Sequence, residues 1–214
     1  LGLGLGRGGG GGAPPAHGKP GIRNAIDGGI HTIEHGSYMD AALAKEIAAK
    51  GLLYTPTETV TQLFNQTTKP STLDPRQWAK GQEVLGVHRE AVKFAMAAGV
   101  TFLTGTDCPY GCAQVGTEVK LLVELYGMDP LKAIEAATAN GPKALGDLGM
   151  APKTGQLVEG YVADVIALSE SPLEDIAVIA DADKVTHVWK AGALMKQPGD
   201  AKVGPFKYAI KYLD

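Results

Sequence analysis

Two short segments of this sequence place chemically capable side chains where a strand would end. Thr32-Ile33-Glu34-His35-Gly36 carries a histidine just before a glycine, and Thr104-Gly105-Thr106-Asp107 finishes on an aspartate. Parallel strands of a barrel end on one common face, so two such ends would bring an imidazole and a carboxylate together. That pair suits a hard divalent metal, and the carboxylate can also take a proton from a water that the metal acidifies. Taken singly, each residue has a plainer reading, His35 as a buried histidine and Asp107 as the cap of a helix or turn. Their joint placement is what favours chemistry.

The elements that must position them follow a repeating pattern. Pro20 opens a helix with Ile22, Ala25 and Ile26 on one face, and Gly28-Gly29 stops it before the apolar run from Ile30 to Ile33. Asp40 caps a second helix whose Ala42, Leu43, Ile47 and Ala48 keep helical spacing up to Gly51, after which Leu52 to Thr55 make a strand. A polar, threonine-rich loop leads to a long helix from about Pro75 to Ala98, then Gly99 and a strand from Val100 to Leu103. Helices dominate from Glu118 to Leu145. Alternating helices and strands predict an α/β fold with a parallel sheet. From about residue 150 to 214, Gly155, Gly160, Pro172 and Gly192 punctuate the runs Val162 to Leu168 and Lys184 to Trp189, the pattern of a small β-rich segment. The expected division is therefore residues 13–149 and 150–214, with a boundary near Met150.

Residues 1–12 stand apart. They hold eight of the 29 glycines and too little apolar surface to offset backbone entropy, so disorder is expected, as a natural linker or as a truncated or frame-shifted gene start. Gly18-Lys19 lacks the Ser or Thr of a phosphate loop, Pro20 standing in its place. With 44% hydrophobic residues the rest can bury a core, and a net charge of −3 argues against nucleic acid or an anionic membrane as partner. A small molecule is the expected partner. No apolar run approaches the roughly 20 residues of a membrane helix and no secretory signal is evident, so a soluble protein is expected, with the cytoplasm slightly favoured. Cys108 and Cys112 follow Asp107 and can line a pocket, bridge or bind metal, but a plain loop role is favoured because no second pair completes a zinc site.

The order of several blocks resembles the amidohydrolase superfamily, specifically its imidazolonepropionase-like and Xaa-Pro dipeptidase-like branch. The blocks are Ala16-His17-Gly18, Gly21-Ile22-Arg23, Ala25-Ile26-Asp27-Gly28-Gly29, Thr32 to Gly36 and Gly105-Thr106-Asp107. Asp129-Pro130-Leu131, Ala136 to Asn140, Gly155, Leu157, Glu159-Gly160, Ala163-Asp164 and Pro172 to Ile176 continue it, so the resemblance covers about residues 16–195. It implies the C-terminal half, strands five to eight, of a metal-dependent-hydrolase (β/α)8 barrel followed by a small β-rich sandwich segment. A full barrel takes roughly 250 residues, so strands one to four, with their His-x-His pair and bridging lysine, would be missing.

The resemblance implies hydrolysis of amide, peptide-like or cyclic amide C–N bonds with one or two divalent ions, zinc foremost. His35 matches the strand-six metal ligand, and Asp107 the strand-eight aspartate that binds metal and shuttles a proton. At strand five the branch reads His-Ala-His-Gly, whereas this chain reads Pro15-Ala16-His17-Gly18. Pro15 cannot bind metal, so His17 is either a substitute ligand or, preferably, a polar rim residue. Tyr54, Thr55 and Thr57 end the strand-seven segment, and Tyr54 and Thr57 are candidate substrate contacts, with packing or capping as the alternative. His31 is expected in packing, His88 on a helix face, and His187 in a structural position of the β-rich segment. Two readings remain: a hydrolase whose isolated 214 residues are inactive, with exposed sheet edges that favour self-association, and a non-catalytic remnant or interaction module that has lost the metal site.

Overall fold

The computed structural model describes residues 12–66, 74–107, 115–145 and 153–200. Four short strands, β1 (Pro15–Ala16), β2 (Thr32–His35), β3 (Leu53–Thr55) and β4 (Thr101–Phe102), lie side by side in that order, all parallel. Helix α1 (Lys19–Asp27) connects the first two and α2 (Ala41–Ala49) the next. α3 (Glu58–Gln62) and α4 (Pro75–Ala97) lie between β3 and β4, and α5 (Val115–Tyr126) and α6 (Pro130–Ala137) follow. A second, antiparallel sheet holds β5 (Val165–Leu168), β6 (Val185–Lys190) and β7 (Ala193–Lys196). A parallel sheet with helices and a small β-rich segment is the arrangement the sequence predicts. The boundary near Met150, the tract 1–11, and Cys108 and Cys112 lie outside the described residues.

Each strand starts later than the apolar pattern suggests, for one repeated reason. The N–H groups of Ile30, Leu52 and Val100 return to the carbonyls of Ala25, Ile47 and Ala95, closing the preceding helices. Gly29, Gly51 and Gly99 make this possible at φ of 71°, 65° and 73°, a left-handed conformation that costs glycine least. An N–H bonded to a helix end cannot join a ladder, so β2, β3 and β4 begin at Thr32, Leu53 and Thr101. Helix starts follow the sequence signals more closely. Asp40 accepts from the N–H groups of Ala42 and Leu43, Asp74 from Arg76 and Gln77, and Asp129 from Leu131 and Lys132.

Register pairs Ile33 with Tyr54 and Tyr54 with Phe102, so one row of large side chains crosses the sheet. Ile33 and Tyr54 are fully buried, and the Tyr54 and Phe102 rings meet edge to face, 5.3 Å between centroids. Ile22 and Ile26 of α1, Ile47 of α2, Val92 of α4 and Leu122 of α5 complete this core, each contributing about 1.5–3 kcal/mol by burial. Ile176, in a 3-10 turn over Ile176–Ala180, belongs to the same core. That turn lies so close to α5 that a Cβ on Gly116 would run into the Ile179 carbonyl. Among the described residues no helix is long and apolar enough to cross a membrane.

Candidate active site

Because the four strands are parallel, the residues just past them share one edge of the sheet. His17 follows β1, His35 ends β2, Thr57 follows β3 and Asp107 follows β4. Three of these carry left-handed backbone, His35 at φ 65°, Thr57 at 57° and Asp107 at 42°. Such conformations cost a non-glycine residue about 1–2 kcal/mol each, and strain of this kind gathers where side chains must be aimed. Gly36 continues the turn at φ 56°, where an added Cβ would stand 2.8 Å from the Tyr54 ring and 2.9 Å from Met39. Only glycine fits behind His35.

Hydrogen-bond direction sets the state of His35. The Thr57 hydroxyl donates its single proton to the Pro56 carbonyl at 2.6 Å, so it must accept from His35 Nδ1–H at 2.7 Å. His35 Nε2 is thereby left with its lone pair, 3.8 Å from Asp107 Oδ2. The Tyr54 hydroxyl donates to the His35 carbonyl at 2.8 Å and anchors the backbone. Burial lowers the His35 pKa, with Asp107 pulling it up and His88 pushing it down, so the ring is neutral at neutral pH. His17 stacks on His35 with 4.3 Å between centroids and 7° between planes, and its Nδ1 lies 2.9 Å from Ser37 Oγ. Burial lowers its pKa too, helped by His35 and His88.

The donor set fits a divalent ion at His35 and Asp107. An ion held at about 2.0–2.2 Å from each of two ligands can span a gap of up to about 4.2 Å, and the observed gap is 3.8 Å. An imidazole binds metal in its ring plane, so the parallel His17 and His35 rings cannot hold the same ion. Accordingly, among the described residues no three His, Cys, Asp or Glu side chains converge. A cavity of about 600 Å³ opens beside these groups, with His17, His35 and Asp107 at one side and Val60, Phe64 and Lys80 among its other walls. A second cavity of about 540 Å³, at the opposite end of β4, holds no histidine.

Phe64 forms part of the cavity wall because Gly81 of α4 leaves room for it. A Cβ at Gly81 would run into the Phe64 ring, which also lies 5.8 Å from the Trp78 ring. Gly81→Ala is expected to expel Phe64, cost about 1–3 kcal/mol by overpacking and change Trp78 fluorescence. A variant that melts and fluoresces like the parent would show that this wall is not built on Gly81.

Several sequence-predicted roles are placed differently. Tyr54, a candidate substrate contact, is fully buried and absent from the cavity wall, because its hydroxyl is committed to the His35 carbonyl. Thr57 is buried as well and orients His35 rather than lining the cavity. His88, expected on a helix face, lies on the buried face of α4, with Nδ1 3.2 Å from Ser37 Oγ and Nε2 3.3 Å from Glu58 Oε2. His187 stacks on Trp189 in β6, within the β-rich segment. His31 sits outside the site, its carbonyl accepting from Leu53 N–H.

Sequence reasoning missed the layer beneath. Since the Thr57 hydroxyl serves His35 and Pro56, it cannot cap α3, and Glu118 from α5 does so instead. Its carboxylate accepts from the N–H groups of Glu58 and Thr59 at 2.7 and 2.8 Å, and from the Thr59 hydroxyl at 2.6 Å. Burial pushes Glu118 up to about 7 against the pull of these bonds. Burial acts on Glu58 in the same direction, but the nearby His88 and bonds from Tyr126 and Gln62 outweigh it and hold the carboxyl below the ordinary range. The sequence carried no signal for this layer: Glu58 falls in a stretch that reads as a polar loop and Glu118 opens a run of helices, yet both are fully buried.

The amidohydrolase family profile matches residues 15–195. Ochratoxinase of Aspergillus niger is 46% identical over 190 residues, 89% of this chain and 38% of that protein. The crystal structure of A. niger ochratoxinase superposes with a TM-score of 0.76 at 44% identity, over 88% of this chain and 42% of the other. An Xaa-Pro dipeptidase crystallised with methionine in its active site gives 0.75 at 30% identity, covering 86% and 44%. Imidazolonepropionase of Nocardia farcinica is 27% identical over 186 residues, 83% of this chain and 40% of that protein. The chain thus spans less than half the length of the relatives it matches. A profile that runs through all four strand ends and on into the second sheet leaves one assignment: the chain belongs to the amidohydrolase family, in the branch of the imidazolonepropionases and Xaa-Pro dipeptidases.

Proposed function

We propose that these residues form part of the catalytic face of a metal-dependent hydrolase of C–N bonds in amide, peptide-like or cyclic amide substrates, with peptide-like substrates favoured and zinc as the ion. The observation that carries the reading is the His35 Nε2 lone pair, fixed by Thr57 and set 3.8 Å from Asp107 at the mouth of a cavity. A bound ion would supply Lewis acidity to polarise the scissile carbonyl and acidify a water. His35 and Asp107 would hold it. Asp107 would take the proton from the attacking water and return it to the leaving nitrogen as the C–N bond breaks. Val60 and Phe64 would keep bulk water from the substrate's apolar part. Because the chain spans 38% of ochratoxinase, the remaining ligands are proposed to come from four further strands of a closed barrel.

A second reading, a non-catalytic remnant, rests on Pro15, which stands where the branch carries its strand-five histidine. Zinc titration of the metal-free chain by calorimetry separates the two. With two ligands in place of the three or four of a complete site, zinc is expected to bind more weakly than about 1 μM, and Asp107→Asn and His35→Ala should each remove that binding. Binding that ignores both substitutions, or none at millimolar zinc, would favour the remnant. Ochratoxin and Xaa-Pro dipeptides, the substrates named by its relatives, are the first hydrolysis assays.

A further inference from the structure

Beneath the two stacked histidines runs a chain of buried polar groups that the catalytic reading does not use. His17 Nδ1 lies 2.9 Å from Ser37 Oγ, and Ser37 Oγ lies 3.2 Å from His88 Nδ1. His88 Nε2 stands 3.3 Å from Glu58 Oε2, its N–H aimed somewhat off the oxygen. Ser37, His88 and Glu58 are all fully buried, and Glu58 also accepts from the Tyr126 hydroxyl at 2.6 Å and the Gln62 amide at 2.5 Å. These residues come from the turn after β2, from α4, from α3 and from α5, so separate connections of the fold meet in one buried polar cluster.

The direction of every bond in this chain follows from counting protons. An ionised Glu58 repels a lone pair, so His88 keeps its proton on Nε2. With that single ring proton, His88 offers only a lone pair at Nδ1, which takes the one proton of Ser37. The Ser37 oxygen must in turn accept from His17. We propose that Glu58, His88 and Ser37 are positioning residues that fix His17 as its Nδ1–H tautomer, leaving the Nε2 lone pair on the cavity side. The inference rests on the reading of His17 as part of the site, and it adds a chemical constraint to it. His17 can accept a hydrogen bond from a substrate N–H or a water, or bind a cation, but it cannot donate to a carbonyl. The two stacked rings are then a matched pair, each held at Nδ1 by a hydroxyl, Thr57 for His35 and Ser37 for His17.

The test is a long-range proton–nitrogen NMR correlation of the histidine rings in the 15N-labelled full chain, metal-free, at about pH 8 where neutral imidazole predominates. His17 and His35 should both show a protonated Nδ1 and a bare Nε2, the minority tautomer of free histidine. Ser37→Ala should return His17 to the Nε2–H form while His35 keeps its pattern, which also certifies the fold. His17 as Nε2–H in the parent chain would overturn the proposal, since it would mean that His88 is cationic or reversed. So would a His17 pattern unmoved by Ser37→Ala. The measurement needs neither zinc nor substrate, so a negative result leaves the hydrolase reading standing, and a failed hydrolysis assay leaves the tautomer result standing.

Discussion

Asp107→Asn should lower amide hydrolysis by about 10³-fold or more in any active form of the protein and abolish the zinc-binding heat of the chain itself. Loss of a positioned proton acceptor alone is worth about 10²–10⁴-fold, and the same substitution withdraws an anionic metal ligand. The replacement is chosen for its backbone. Asp107 sits at φ 42°, where asparagine is as comfortable as aspartate, whereas alanine would add strain of about 1–2 kcal/mol. The asparagine variant should therefore melt close to the parent, and the loss can be assigned to chemistry. A variant that hydrolyses within about tenfold of the parent would remove Asp107 from the mechanism.

Glu118→Ala should produce the largest loss of stability. Its carboxylate satisfies three buried donors at the start of α3, and with none of them able to reach water the expected cost is about 3–5 kcal/mol near pH 5. In a chain of this length that lowers Tm by roughly 10 °C or more. The deficit should also depend on pH with a definite sign. Burial raises Glu118 from 4.5 to about 7, so between these values the unfolded chain has released a proton that the folded chain retains. Stability from this group is complete below about 4.5 and is lost as pH rises through about 7, a change of about 3 kcal/mol. Alanine has nothing to titrate, so the gap between parent and variant should narrow from pH 5 to pH 8. Denaturant unfolding at both pH values decides it, and a gap that stays constant or widens would contradict the assignment.

What could be read from the sequence was what is local. His35 and Asp107 were legible because one ends and the other closely follows a short strand, each with a glycine within two residues. The alternation of helix and strand was legible for the same reason, and it located three of the four parallel strands to within two residues, while β1 was reached only through the family resemblance. Their first residues were misjudged because Ile30, Leu52 and Val100 are apolar and read as strand, while their N–H groups belong to the helix ends before them. Helix α3 was hidden in a threonine-rich stretch, since its cap is a glutamate 60 residues away. The relay through Ser37, His88 and Glu58 was hidden for the same reason: its members are separated by 51 and 30 positions, and each alone is an ordinary polar residue. Strand β7 is exposed and short, with a pattern too weak to announce itself, although Ala191 and Gly192 at φ 49° and 79° make the tight turn that leads into it.

The packing of Gly116 beneath the Ile179 carbonyl has a consequence for inheritance. Composition changes near residue 150, and a genetic crossover there would look harmless, exchanging one run of sequence for another between homologous genes. It would nevertheless join one parent's α5 to the other parent's 176–180 turn, at a contact that tolerates no added side chain and shares the core through Ile176. Exchange blocks that keep α5 and this turn from the same ancestor should yield folded chimaeras, with the permissible join falling after Ala180. The unit of descent in this chain is therefore longer than its change in composition implies.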